Sequence, residues 1–248
     1  MTDRKGAASG FAPGALDGAN WSRPLAGEGC LADLAPTGRL RLGQFDLHVV
    51  ECAAELFLRE GIASVKMIDI ADAAQVGVAT LYRHFSTKTA LAVGAATLMW
   101  SYFNDRISSL VESAEFLDMS GAQRLERLLG EYAASYVQNS SFVSFLDEFD
   151  HLVLSEGLQA DDLEAYGAQI DSFYLMFDDA YLLGRQDGSV VREVDFRTFY
   201  TSVAHALIGV AQKLSRGEVI SSDRFANGTK ELEYIIDMAV SYLSQGTT

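Results

Sequence analysis

Thr80, Tyr82, Arg83, His84 and Lys88 crowd into one short stretch of the chain. Together they offer a hydroxyl, a phenol, a guanidinium, an imidazole and an ammonium, groups that donate hydrogen bonds to phosphate oxygens. No Asp or Glu occurs from Ala73 to Asn104, so no carboxylate along this part of the chain competes for those donors. The residues just before them, Gly77, Val78 and Ala79, are small and let a backbone approach base edges. Val78 or Ala79 can touch thymine methyl groups, and Arg83 can meet a guanine edge or a phosphate. The chemistry is that of a DNA reader.

Such residues need two short helices to present them, one in the major groove and one bracing it across the backbone. The spacing predicts a helix from about Lys66 to Ala74, burying Met67, Ile70 and Ala71. A second follows from about Val78 to Phe85, burying Leu81 and Phe85. Small and apolar Ala71, Ala74, Val76 and Leu81 fall where the two cross. Upstream, Phe45, Val49, Cys52, Ala53, Leu56 and Phe57 recur at helical spacing until Gly61 stops the pattern. Downstream, Ser86 or Thr87 caps a long helix beginning near Lys88, whose first amides face an anion.

From about Arg41 to Met99 the chain resembles the TetR family of bacterial regulators. The resemblance rests on "VVECAAELFLREG" and on "IDIADAAQVGVATLYRHFSTKTAL", an ordered set with Leu-Tyr-x-His-Phe and a Lys three residues later. It implies base or phosphate contacts from Lys66, Val78, Ala79, Thr80, Tyr82, His84 and Lys88, with Ile68 where the bracing helix also reaches DNA. Gly77 opens the reading helix. Arg83 either joins the contact or is solvated, and His84 either reaches phosphate or packs beneath a neighbouring helix. Two positions depart from the family pattern. Gln75 stands at a turn position usually held by Gly, where a left-handed backbone costs roughly 1–2 kcal/mol. Gly77 replaces the usual Ser or Thr cap, a change of about a few tenths of a kcal/mol.

The chain has 248 residues and a formal charge of −15, unevenly spread. Residues 1–90 carry 9 Lys and Arg against 10 Asp and Glu, whereas residues 91–248 carry 10 against 24. That distribution excludes a general nucleic-acid binder and leaves only the front of the chain able to approach phosphate. Residues 1–40 hold all three prolines, show no apolar period and read as a disordered extension, with Arg39 and Arg41 as a basic arm. The resemblance implies a three-helix DNA-binding domain at residues 41–88 and a helical effector-binding and dimerisation domain at 89–248. The fold class is all-α, with roughly nine helices; later ones are expected near 122–139, 142–155, 161–184, 195–217 and 229–244.

Two scattered cysteines, Cys30 and Cys52, make neither a disulfide framework nor a metal-ligand spacing, and Cys52 reads as a small core residue. With no signal peptide and no apolar run long enough for a bilayer, a cytoplasmic protein without a membrane partner is expected. No nucleophile–base pair, phosphate-cradling loop or metal cluster supports an enzyme, and no cofactor is implied. The competing class is a helical ligand-binding or adaptor protein of the same fold that no longer binds DNA.

Aromatic residues recur along the second half of the chain, most of them as ordinary core. The family's middle helices enclose an effector cavity, so some are expected to line it: Trp100, Phe103, Tyr136, Phe145, Phe149, Phe173 and Phe177. Acids and aromatics together favour a cationic, greasy effector. The "DEFDH" stretch at Asp147–His151 is either a metal site or, more simply, an acidic helix surface. His205 reads as a core or interface histidine. Phe196, Phe199, Val203, Leu207, Val210 and Leu214 form one apolar stripe; Leu232, Ile235, Ile236, Ala239, Val240 and Leu243 form another. Part of each serves the core. The resemblance implies that these last two helices pair with their copies in a homodimer, matching a palindromic double-stranded operator with half-sites about 34 Å apart.

Overall fold

The computed structural model describes residues 43–217 and 227–245, and every regular element among them is a helix. The expectations for residues 1–40, including Cys30 and the arm at Arg39 and Arg41, lie outside the described residues. The head consists of α1 (Gln44–Glu60), α2 (Met67–Ala73) and α3 (Val78–His84). Behind it come α4 (Lys88–Val111), α5 (Ala114–Leu117), α6 (Gly121–Gln138) and α7 (Ser140–Ser155). A single 3-10 turn at Ala160–Leu163 leads into α8 (Glu164–Asp187), followed by α9 (Phe196–Ser215) and α10 (Gly228–Ser244).

In α1, Val49, Val50, Ala53, Ala54, Leu56 and Phe57 face inward and are buried against α2, α4 and α7. Gly61 ends the helix with φ +80°, and its amide donates to the Phe57 carbonyl at 2.9 Å. The turn between α2 and α3 closes with two bonds: the Val76 amide donates to Ala71 and the Gln75 amide to Asp72, at 2.9 and 3.1 Å. This is a Schellman ending, in which the residue after the cap must be left-handed. Gln75 adopts it with φ 56°, alone among the described non-glycine residues. Leu81 and Ile70 are wholly buried and lock α3 onto α2; truncating such a leucine to alanine costs about 2–5 kcal/mol. Phe85 is only half-buried. Thr87 caps α4, accepting from the Ala90 amide at 3.0 Å.

α4 joins head to body, packing on α1 at one end and on α8 further along. In the body, α6 lies against α8 and α10. The closest approach is at Gly121 and Gly184, where a Cβ on Gly121 would fall 2.0 Å from the Gly184 nitrogen. Asp187 fixes this crossing by accepting from the Gly121 amide at 2.8 Å. The short α5 was not expected; Ser113 nucleates it by accepting from the Phe116 amide, which lets Phe116 turn inward.

The two apolar stripes of the last helices serve the protomer's own core more than the sequence implied. Phe196, Val203, Leu207 and Leu214 on α9 are buried within the chain, as are Leu232, Ile236, Ala239 and Leu243 on α10. The exposed apolar surface of α10 is instead Tyr234, Met238 and Tyr242, which are 62, 63 and 47% exposed, with the Tyr242 ring also stacked on Phe199 and under Arg192. His205 is exposed on α9 rather than buried in the core. Cys52 is half-buried, with burial raising its thiol above the usual range. No helix of the described residues is long and apolar enough to cross a membrane.

Candidate nucleic-acid interface

Of the residues expected at DNA, Lys66, Ile68, Gly77, Ala79, Tyr82 and Arg83 are exposed on the head, and Val78 and Thr80 are half-buried. Ile68 and Tyr82 are 52 and 50% exposed, although both belong to short helices whose inward residues are fully covered. On α3, Leu81 turns inward while Ala79, Tyr82 and Arg83 share the outward side, as the helical period requires. Val78 packs partly on the core, which leaves Ala79 the freer of the two small apolar contacts. The Lys66 amide donates to the Asp69 carboxylate at 2.8 Å, starting α2 and leaving the Lys66 ammonium outside that bond.

Lys88 departs from the expected phosphate contact. Its ammonium donates to the carbonyls of Ile62, Val65 and Ala63 at 2.6, 2.9 and 3.3 Å. An ammonium has three donors, and all three are used inside the chain. Lys88 is therefore a brace between the start of α4 and the α1–α2 loop. His84 is likewise engaged: its Nδ1 lies 2.8 Å from Asp46 Oδ1, and its ring packs on Phe45 with centroids 4.5 Å apart. The carboxylate missing along residues 73–104 is thus supplied in space by α1, and it draws His84 toward the head's own packing. His48 approaches the turn from the same helix, its Nε2 lying 3.3 Å from the Ala74 carbonyl oxygen. Tyr102 ties α4 to α1 by donating to Glu51 at 2.9 Å; burial and that bond push its phenol up to about 12.

Two acids of the "DEFDH" stretch are engaged within the chain. Asp147 pairs with Arg216 at 2.7 Å, beyond the end of α9. Glu148 turns the other way and accepts from the Ile62 amide at 2.6 Å and from the Ala63 amide at 3.3 Å. Sequence reasoning missed this residue, because nothing local marks an acid on one helix as the partner of a loop 85 residues away. The nearest signal was Gly61: a Cβ there would sit 2.6 Å from Glu148 Oε1.

All the aromatic residues expected around an effector are buried. Trp100 is ringed by Phe103, Phe142, Phe173 and Tyr132, with centroids 5.6, 5.9, 6.0 and 6.1 Å away. Tyr136 stands beside Tyr132 at 4.8 Å, and Phe177 beside Phe173 at 5.0 Å. Phe145 and Phe149 form a separate row, stacked at 6.0 Å and running from Phe57 of α1 to Tyr166 of α8. These rings pack on one another as core. A cavity of about 10 Å³ lies elsewhere, between α6, α8, α9 and α10, and of the expected residues only Phe177 lines it. The Trp100 Nε1 and Tyr136 hydroxyl are buried without a well-formed hydrogen bond, although the Tyr166 and Tyr132 phenols lie close to them. Burial pushes the Tyr132 phenol up to about 12 and raises Tyr136, Tyr166 and Tyr200 as well, so the cluster stays uncharged.

Residues 49–95, covering most of the head and the start of α4, match the family model of bacterial regulatory proteins, tetR family. No curated protein matches the chain. Among solved structures, the fatty acid degradation regulator FadR from Bacillus halodurans is similar, with a TM-score of 0.60 and 16% identity over 81% of this chain and 97% of that one. A transcriptional regulator from Saccharomonospora viridis, solved in complex with choline, aligns with a TM-score of 0.63 and 19% identity over 81% and 98%. A regulatory protein in the tetR family from Rhodococcus RHA1 aligns with a TM-score of 0.52 and 14% identity over 83% and 100%. At these identities the likeness establishes the fold. The head, over residues 49–95, is similar to the bacterial regulatory proteins of the tetR family, and the body shares the all-helical fold of the solved regulators.

Proposed function

We propose that this protein is a dimeric transcriptional repressor whose head reads a palindromic operator and whose body takes a small-molecule effector that releases it. The observation that carries the reading is the outward surface of α2 and α3. Ile68 and Tyr82 stand half in solvent beside exposed Lys66, Ala79 and Arg83, on the segment that matches the family model. An apolar residue left exposed on so small a helix stabilises nothing in the free protein; against a groove it has a use. The acids of residues 91–248 repel phosphate, so binding rests on the head alone.

The outward residues of α9 and α10 supply the dimer contact. Tyr234, Met238 and Tyr242 lie one turn apart along α10, and α9 adds the small exposed residues Ala206 and Gly209, which allow close helix approach. The effector enters the aromatic cluster around Trp100 by parting its rings. Buried phenol and indole groups that are only weakly bonded to one another suit a ligand with an apolar body and a polar acceptor, and the ring faces suit a cationic group. Coupling of about 1–3 kcal/mol between the two sites is enough for release.

The test is binding to the DNA upstream of the protein's own gene, followed by fluorescence anisotropy across a salt series. Tight binding at low salt that weakens steeply as salt rises is expected. Absence of binding at low salt would leave an adaptor of the same fold as the reading. A thermal-shift series of quaternary ammonium and acyl compounds then tests the effector class.

A further inference from the structure

The α1–α2 loop, residues 61–65, joins α1 to the reading pair α2 and α3, and two distant side chains hold it. Lys88, the first residue of α4, takes its carbonyls; Glu148, in the middle of α7, takes its amides. The second grip comes from the body. Its carboxylate approaches closely only because residue 61 has no Cβ. Glu148 also sits within the aromatic row of α7, since Phe145 stacks on Phe57 at 6.4 Å and Phe149 meets Tyr166 at 5.1 Å. A displacement of α7 relative to α4 would therefore pull on the loop's amides while its carbonyls stay with Lys88.

We propose that Glu148 is the positioning residue through which the body sets the placement of the DNA-reading helices. The inference rests on the proposed DNA-binding role of the head. An anionic oxygen accepting from two amides is the stronger kind of hydrogen bond, short here at its Ile62 end. The neighbouring Asp147–Arg216 pair is exposed on both sides and holds the α9 end instead, so it provides a control on the same helix.

Hydrogen exchange at the Ile62 and Ala63 amides and operator affinity are to be measured on Glu148→Ala, Glu148→Gln and Asp147→Ala, in protein shown folded by circular dichroism. In Glu148→Ala both amides exchange faster and the operator binds more weakly, each on the order of tenfold, the scale of one charge-assisted bond. Glu148→Gln, which keeps a carbonyl acceptor, recovers part of both effects, and Asp147→Ala changes neither. Should the alanine variant fail to fold, the glutamine variant carries the same comparison at smaller amplitude. Unchanged exchange at the two amides overturns the proposal, and so does faster exchange with operator affinity within about twofold of wild type, a difference worth well under 1 kcal/mol. If the wild-type protein binds no DNA, the reading of the head falls, while the exchange comparison still decides whether Glu148 fixes the loop.

Discussion

Glu148 and Lys88 grip the same residue from opposite sides: the Ile62 amide donates to Glu148 Oε2 at 2.6 Å, and the Ile62 carbonyl accepts from Lys88 Nζ at 2.6 Å. An acid of the body and a base at the neck thus converge on one loop of the head. Lys88, one of the residues expected at phosphate, is in the folded chain a fastener.

Lys88→Met is accordingly expected to lower stability, because it strips three carbonyls of their donor while keeping most of the apolar stem. The loss should be about 1–3 kcal/mol, the range for a buried acceptor left without a partner. Chemical denaturation measures it; a variant as stable as wild type would contradict the brace.

Gln75→Gly is expected to stabilise the protein. The position has φ 56°, which strains any L side chain. Relief of about 1–2 kcal/mol is offset in part by the greater freedom of glycine in the unfolded chain, about 0.5–1 kcal/mol. A small rise in the denaturation midpoint is the predicted outcome, and a fall would show that the glutamine side chain contributes something its backbone does not.

Burial raises the Tyr132 phenol from 10.0 to about 12 in the folded protein. The folded state then holds its proton more tightly than the unfolded chain does. That contribution to stability is whole below pH 10 and is lost as pH rises from 10 to about 12. Compared with wild type, Tyr132→Phe should therefore lose less stability over that window. Parallel denaturation curves for the two proteins from pH 9 to about 11 would contradict the burial argument.

Met238→Glu should convert a dimer to a monomer, since it sets a charge in the middle of the exposed row formed with Tyr234 and Tyr242. Sedimentation velocity decides this, and an unchanged sedimentation coefficient would move the interface elsewhere.

The helices were largely legible in the sequence because their signals are local. Gly61 stops α1, Thr87 caps α4, and the apolar period places α6 to α10 within a few residues of where they lie. Even the left-handed turn at Gln75 follows from its position after α2. The partners of charged groups were not legible. Lys88 and His84 carry the right chemistry for phosphate, yet the carbonyls of residues 62–65 and the carboxylate of Asp46 reach them first. Apolar spacing has a similar blind spot. Leu207 and Tyr234 both sit on helices with long apolar stripes, and only packing against α6 and its neighbours shows that the first is fully buried and the second faces out. Glu148 was hidden by both limits, an ordinary surface acid in pattern whose amide partners arrive from another element.

The central claim, that the head binds DNA through its outward face, is tested most directly by the salt dependence of operator affinity in wild type, Arg83→Ala and Lys88→Met. Arg83 is exposed and Lys88 is internally bonded. The prediction is a linear fall of log affinity with log salt in wild type, shallower by about one in Arg83→Ala and unchanged in slope in Lys88→Met. No binding by wild type at low salt, or binding indifferent to salt, would contradict it.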